Sequence, residues 1–456
     1  MKKYILMALG IVLLSACSVL TPTAQNLKVC ESDEDRISGC IRERIDDNGD
    51  RFEIPYKNGE MNGIAKTYYT NRKLRGEIPH KNGKKDGVEK WYYENGKIEW
   101  ETSYKNGIKD GVEKSYYESG KLWNRTSYKQ GNEDGIARRY YENGVLESET
   151  SYKNGILDGV KKTYYRNGWI WSKVPYKNDK IDGIAKGYYE VGGFKWEISY
   201  KNDELEGISK SYYENGKTLE SVSYKNGKKE GLNKQYYANG KLKKETPYKN
   251  DKKDGIEKEY YESGKIHREI PYKADKADGV TREYRENGKI LTEILFKNDE
   301  LEGISKSYYE NGKLKKEISY KGDKKDGIEK YYTNNGNLEI EIPYKNNVRD
   351  GIIKTYENGK LNNELPFSNG KVVGIQKWYY ESGEVQIKIP YKNDKLNGDI
   401  EIYHKNGELA FILLCNKIKC ANGKTLTTDE SIVAILNKLH EGFDKSFDEY
   451  INLCEN

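Results

Sequence analysis

The chain has 456 residues, and its 79 basic and 73 acidic side chains leave a net charge of only +6. With 41 Tyr and 45 Gly but 7 Phe and 3 Met, it is too aromatic for a disordered chain and too poor in Phe and Met for a conventional globular core, so tyrosine must pack a half-wet surface. The balanced, interspersed charge also argues against a nucleic-acid binder, which needs an unbalanced basic groove.

At the N-terminus, Lys2 and Lys3 precede an apolar run, Tyr4 to Leu14, that is too short to span a bilayer stably and has the form of a signal-peptide core. It ends in Leu14-Ser15-Ala16-Cys17. This tetrapeptide resembles the lipobox of bacterial lipoproteins, which implies that residues 1–16 are a signal peptide and that Cys17 is diacylated as the mature N-terminus. The plain alternative is a secretory signal cut near the same place. Two or more acyl chains suffice for stable anchoring, and Ser18 after the cysteine implies the outer membrane in a cell that has two. The expected location is therefore the bacterial cell envelope, lipid-anchored at the outer membrane or cell surface. Residues 17–47 read as a lipidated linker and N-terminal cap, carrying the lipid at Cys17. Export makes the other cysteines disulfide candidates. Cys30 and Cys40 bracket a short acidic segment and would close a loop over the first repeat. Cys415, Cys420 and Cys454 sit together at the far end, with one odd thiol if a pair forms. A zinc site at Cys415 and Cys420 would need two further ligands that the sequence does not offer, so no metal is expected.

Residues 48–414 are an array of repeats. Glycines at 63, 87, 111, 135 and onward to 351 are spaced by 24 residues; the next interval, to Gly374, is 23, and Gly398 restores 24. The short interval arises because Lys354-Thr355-Tyr356-Glu357 has one Tyr instead of the usual pair. Fifteen repeats are countable, and a degenerate sixteenth begins near Gly39. Each reads as strand, turn, strand, turn. In Gly303 to Asp326 the first strand is Gly-Ile-Ser-Lys-Ser-Tyr-Tyr, and Glu-Asn-Gly-Lys supplies a tight turn. Asn-Gly is the preferred pair of a two-residue hairpin, because both residues tolerate positive φ. The second strand returns through Leu314 to Tyr320, and Lys-Asn-Gly or Lys-Asn-Asp begins a longer connection to the next repeat. Pro79, Pro175, Pro247, Pro271, Pro343 and Pro390 near the end of the second strand suit a strand terminus and oppose a helix.

A two-residue turn sets the partners by counting: Lys306 opposite Glu317, and Lys258 opposite Glu269. The Lys position is basic in 14 of 15 repeats and the Glu position is Glu in 10, so an opposed charge row runs along the array. Such pairs contribute roughly 0.2–1 kcal/mol each and also disfavour slipped registers. The residue after each Gly and the first Tyr share that face. The second Tyr, the Leu, the Ile or Thr and the final Tyr take the other. The expected fold is an all-β repeat array, an elongated, twisted, single-layer antiparallel sheet of about 15 stacked 24-residue β-hairpins.

This pattern of Gly, paired Tyr, Asn-Gly-Lys-Leu and a closing Tyr resembles the MORN family (membrane occupation and recognition nexus), and most closely its bacterial second-type variant. The resemblance implies stacked antiparallel hairpins serving as scaffolds or interaction surfaces. It also implies two further possibilities, since bacterial relatives are labelled antitoxins of toxin–antitoxin systems and in some host-associated anaerobes are linked to host contact.

Residues 415–456 read as a cysteine-containing C-terminal cap. From Thr427 a capping box, Thr427-x-x-Glu430, opens a helix whose apolar stripe runs from Ile432 through Leu436, Leu439 and Phe443 to Cys454. Its expected role is a lid over the last strand, with docking of a partner as the alternative. No catalytic constellation is present: the four His are scattered, no phosphate-cradling Gly motif occurs, and no cofactor is expected. Two facing positions in the centre of each hairpin vary freely. Trp91 and Trp100 occupy one such pair and Trp196 another such position, with Trp123, Trp169 and Trp171 close by; six of the seven Trp thus fall between residues 91 and 196. They mark either a binding patch or space-filling beside small neighbours. The leading expectation is a non-enzymatic, lipid-anchored, extracytoplasmic scaffold binding a protein or an envelope or host polymer. A toxin-binding antitoxin is the alternative, opposed by the export signal, and an envelope enzyme accessory comes third.

Overall fold

The computed structural model describes residues 28–414, 417–420 and 425–427. The chain divides into two bodies, one ending at Gly192 and the other starting at Gly193. Each is an open antiparallel sheet whose hairpins follow one another in chain order. A repeat contributes a six-residue leading strand such as Gly303–Tyr308, an eight-residue returning strand such as Leu314–Lys321, and a short bridging strand such as Lys276–Ala277.

Side chains alternate across the strands. Ile304, Lys306 and Tyr308 therefore share one face with Glu317 and Ser319, while Ser305 and Ser307 share the other with Lys316, Ile318 and Tyr320. The first is the charged face, because Lys306 pairs with Glu317 and Glu317 pairs in turn with Lys330 of the next repeat. Lys258 likewise lies opposite Glu269. The second we term the variable face.

The counted register is correct, but the turns that produce it are not those expected. The first turn has three loop residues. Gly312 N–H donates to the Tyr309 carbonyl at 2.9 Å and Tyr309 N–H to the Lys313 carbonyl at 2.8 Å. Asn311 has no positive φ; Gly312 alone does, at 89°, and the Asn311 side chain accepts from Lys313 N–H. This is a type I turn closed by a left-handed glycine. The register then steps between Tyr308, opposite Leu314, and Ser307, opposite Lys316, leaving Lys315 as an extra, bulged residue. One extra residue in the turn and one in the returning strand cancel, which is why counting from a two-residue turn reached the right pairs. The two-residue turn lies at the other end of the hairpin, where a longer connection was expected: Lys105 is opposite Ile108, with Asn106 and Gly107 at φ 50° and 85°. Each repeat then opens on a glycine that no other residue replaces easily. Gly87 has φ 122°, and a Cβ there would lie 2.9 Å from Pro79 Cγ.

Hydroxyl groups join repeat to repeat. On the charged face the first Tyr donates to the Glu of the preceding repeat, as in Tyr92 to Glu77 at 3.0 Å and Tyr308 to Glu293 at 2.7 Å. The second Tyr donates to a backbone carbonyl of the following repeat, as in Tyr93 to Tyr116 at 2.7 Å and Tyr309 to Tyr332 at 2.7 Å. At the hairpin tips Lys97 Nζ reaches the Ser119 carbonyl and Lys313 Nζ the Asn335 carbonyl. With so little apolar burial, these bonds carry much of the cohesion, each at a net value of about 1 kcal/mol.

At the start of the N-terminal body, Cys40–Ile45 pairs with Arg51–Lys57 as a further hairpin with the same turn and no bulge. Cys30 and Cys40 are disulfide-bonded with their Cα atoms 5.1 Å apart. The acidic segment between them is a short helix, Asp33–Ser38, capped by Ser32, which the sequence reading did not assign. Val29 bridges Ile41 in parallel and so covers the edge of the first strand. In the C-terminal body, Leu409–Leu414 pairs with Lys417–Cys420, and that strand with Thr425–Thr427. Cys420 thus sits in a strand opposite Phe411, and Thr427 ends the last described strand. Cys17, Cys415, Cys454 and the helix expected beyond Thr427 lie outside the described residues.

Candidate functional site

The variable face is where the repeats differ from one another, and the N-terminal body concentrates tryptophan on it. Trp91 and Trp100 are cross-strand partners, and their rings stack with centroids 5.6 Å apart and planes at 23°. Trp91 Nε1 donates to Glu89 Oε1 at 3.0 Å, and the Arg75 guanidinium lies 5.9 Å from the Trp91 ring. Room for this ring comes from Gly76, its partner on the preceding strand: a Cβ there would lie 3.1 Å from Trp91 Cε3 and 2.8 Å from Thr67 Cγ2. The pair is therefore half-buried and built into the sheet.

More open surface is offered by Trp123, Trp169 and Trp171, which are 40%, 56% and 49% exposed. Trp123 and Trp171 are the bulged residues of their returning strands. A residue in that slot lies over the second Tyr of its own repeat. Trp123 sits 6.3 Å from Tyr117, His267 4.4 Å from Tyr261, and Arg75 5.3 Å from Tyr69. The Arg139 guanidinium of the next repeat closes on Trp123 at 5.5 Å, a cation–π contact. Trp169 stands in the turn, near enough to Gly192 that a Cβ there would meet its Cζ3 at 3.0 Å. Trp196 belongs to the C-terminal body, where it pairs with Ser211. The stacked pair is thus brought together as counted, and the exposed rings stand on the bulge and the turn. The bulged slot escaped the sequence reading because counting from a two-residue turn leaves no extra residue.

A second feature was also missed. Glu89, Glu257 and Glu329 are the third residues of their repeats and are 2%, 1% and 1% exposed on the variable face. Each is held by a Lys four residues earlier: Lys85 at 2.7 Å, Lys253 at 2.9 Å and Lys325 at 2.8 Å. Lys244 and Lys316, from the preceding returning strands, add a second cation to Glu257 and Glu329 at 2.8 and 2.5 Å. Burial pushes the Glu329 carboxyl up, but hydrogen bonds from Lys316, Lys325 and Tyr331 outweigh it and hold it at about 2. Glu257 is lowered for the same reasons, burial being opposed by Lys244, Lys253 and Thr246. The signal was present in the sequence: Glu89, Glu113, Glu257 and Glu329 share the third position, and each has Lys four residues before it. These carboxylates are locked in ion pairs, an arrangement that organises the sheet. Among the described residues, no group of three His, Cys, Asp or Glu side chains could hold a metal.

The repeats match a known family. Residues 61–82, 85–106, 109–130, 133–154, 157–178, 205–226, 229–250, 253–274, 277–298, 301–321, 325–346 and 372–393 match the MORN repeat variant, which accounts for more than half of the chain. No curated protein sequence matches it. Among solved structures it is similar to a crystal structure of TcdB2-TccC3-Cdc42, at 10% identity over 85% of this chain and 23% of that one, with a TM-score of 0.15. It is also similar to the Tc holotoxin pore of Photorhabdus luminescens with a mutated TccC3, at 11% identity over 85% and 25% of the two chains and a TM-score of 0.14. The chain spans about a quarter of the length of either, and TM-scores this low establish no common fold. The family model and the repeat geometry agree: the chain belongs to the MORN repeat variant family.

Proposed function

We propose that this protein is a non-enzymatic interaction scaffold, held by lipid on Cys17 at the outside of a bacterial envelope, and that its variable face binds a protein or an envelope or host polymer. The observation that supports binding is the placement of Trp123 and Trp171 on bulged positions, half exposed, over a framework of repeat-to-repeat hydrogen bonds. They stand two repeats apart, on the order of 19 Å at four strand spacings, which suits an extended ligand contacted at intervals. Exposed aromatics on a rigid support are favoured anchors because little conformational entropy is lost on binding. The anchoring half of the proposal rests on Lys2, Lys3, the apolar run and Cys17.

Protease shaving of intact cells, with a Cys17→Ala strain as control, tests the location. Loss of repeat peptides from intact wild-type cells, with release or mislocalisation of the control, is the expected result. Protection until the cytosol is breached would overturn it.

A further inference from the structure

The repeat that begins at Gly351 is one residue short, and the shortening changes its shape. Glu357 lies opposite Lys360, and Asn358 and Gly359 turn between them at φ 50° and 81°. This is the two-residue turn that the other repeats avoid at this end of the hairpin. In a full repeat the ring of the second Tyr crosses to its neighbour, as Tyr309 does to the Tyr332 carbonyl. Here Glu357 follows Tyr356 directly, and no second ring is present to cross. Between this shortened tip and the next repeat is a cleft of about 510 Å³, within the range of small-molecule sites.

Its lining includes Trp378, Tyr380, Glu357, Lys360, Asn362 and Gln386. Asn362 and Gln386 are the bulged residues of two successive repeats, the same slot that carries Trp123 and Trp171. Asn363, next to Asn362 and the cross-strand partner of Trp378, is 4% exposed, and its Nδ2 has no acceptor among the described residues. We propose that this cleft binds a neutral saccharide of one or two rings. An indole supplies a platform for the C–H face of a sugar, and the amides of Asn362 and Gln386 both donate and accept hydrogen bonds. Lys360 and Glu381 pair with each other at 3.5 Å, so Glu357 opposes an anion while the amide donors would be wasted on a cation. A ligand with many hydroxyls uses both kinds of partner. The proposal does not depend on the tryptophans of the N-terminal body.

Titration of the full chain with glucose, galactose, N-acetylglucosamine and maltose, followed by saturation-transfer NMR, tests it. At least one of these probes is expected to bind with a Kd on the order of 1 mM and to be weakened about tenfold or more by Trp378→Ala. Inserting one tyrosine between Tyr356 and Glu357 restores the 24-residue spacing, so this variant should keep its fold while closing the cleft and abolishing binding. Circular dichroism checks both variants, and the insertion decides if Trp378→Ala unfolds. Absence of binding by all four sugars, or binding that survives the insertion, would overturn the site.

Discussion

Replacing Glu329 by Ala leaves Lys316 and Lys325 facing each other across a buried position that a carboxylate had neutralised. The magnitude follows from the electrostatics of the site. The Glu329 carboxyl ordinarily titrates at 4.5 and is held at about 2 in the fold, and a difference of that size corresponds to about 3 kcal/mol of stabilisation at neutral pH. Breaking a buried ion pair by removing one partner costs a similar 3–5 kcal/mol or so. Repeat arrays open locally rather than all at once, so the assay is native-state hydrogen exchange read on peptides spanning residues 314–345. Amides there should exchange roughly 150-fold faster in Glu329→Ala, while peptides several repeats away change little. The sign with pH follows from the lowered value: the contribution is complete above about pH 4.5 and is lost as pH falls towards 2, so wild-type protection in this segment should fall over that window. A compensated variant separates charge from shape. The corresponding positions around Ser305 are Thr292 and Leu301, which with Ser305 line a shallow cleft of about 200 Å³ on the variable face. Glu329→Ser with Lys325→Leu and Lys316→Thr copies that solution and should recover most of the lost protection. Less than a threefold change in the single variant, or no recovery in the triple one, would refute the reasoning.

At the alkaline end the tyrosines of the charged face govern stability. Burial and the Glu hydrogen bond push Tyr308 and Tyr332 up to about 12 from 10, so their contribution is intact below pH 10 and is lost between pH 10 and 12; circular dichroism should show loss of sheet over that range, and an array stable at pH 12 would contradict it. Gly76→Val should destabilise the N-terminal body by about 1–3 kcal/mol, because the added atoms meet Thr67 and Trp91 within the sheet; chemical denaturation followed by Trp fluorescence measures it. If the variable face binds the protein or polymer proposed above, Trp123→Ala with Trp171→Ala should weaken that binding at least tenfold with little change in stability, since both rings are half exposed; unchanged binding by the double variant would remove the tryptophan face as the binding surface. Trp91→Ala should instead cost stability locally, by removing a ring stacked on Trp100 and bonded to Glu89.

Much of this protein is readable without coordinates, because period, alternation and charge are properties of the chain itself. Glycines 24 residues apart, alternation between Ile304, Lys306 and Tyr308, and the Lys–Glu pairing required only that neighbouring strands be antiparallel and in register. What the sequence could not decide was how each turn is closed. Asn-Gly occurs at both ends of the hairpin, and only the backbone shows that Asn106-Gly107 makes the two-residue turn while Gly312 closes a three-residue one. That choice creates the bulged slot, and with it the exposure of Trp123 and Trp171 and the lining of the cleft beside Trp378. Burial of Glu329 likewise depends on two cations arriving from different strands, one four residues before it and one thirteen before. Repetition specifies which residues recur; the third dimension specifies which of them meet, because a bulge of one residue moves a side chain farther than any change in composition can reveal.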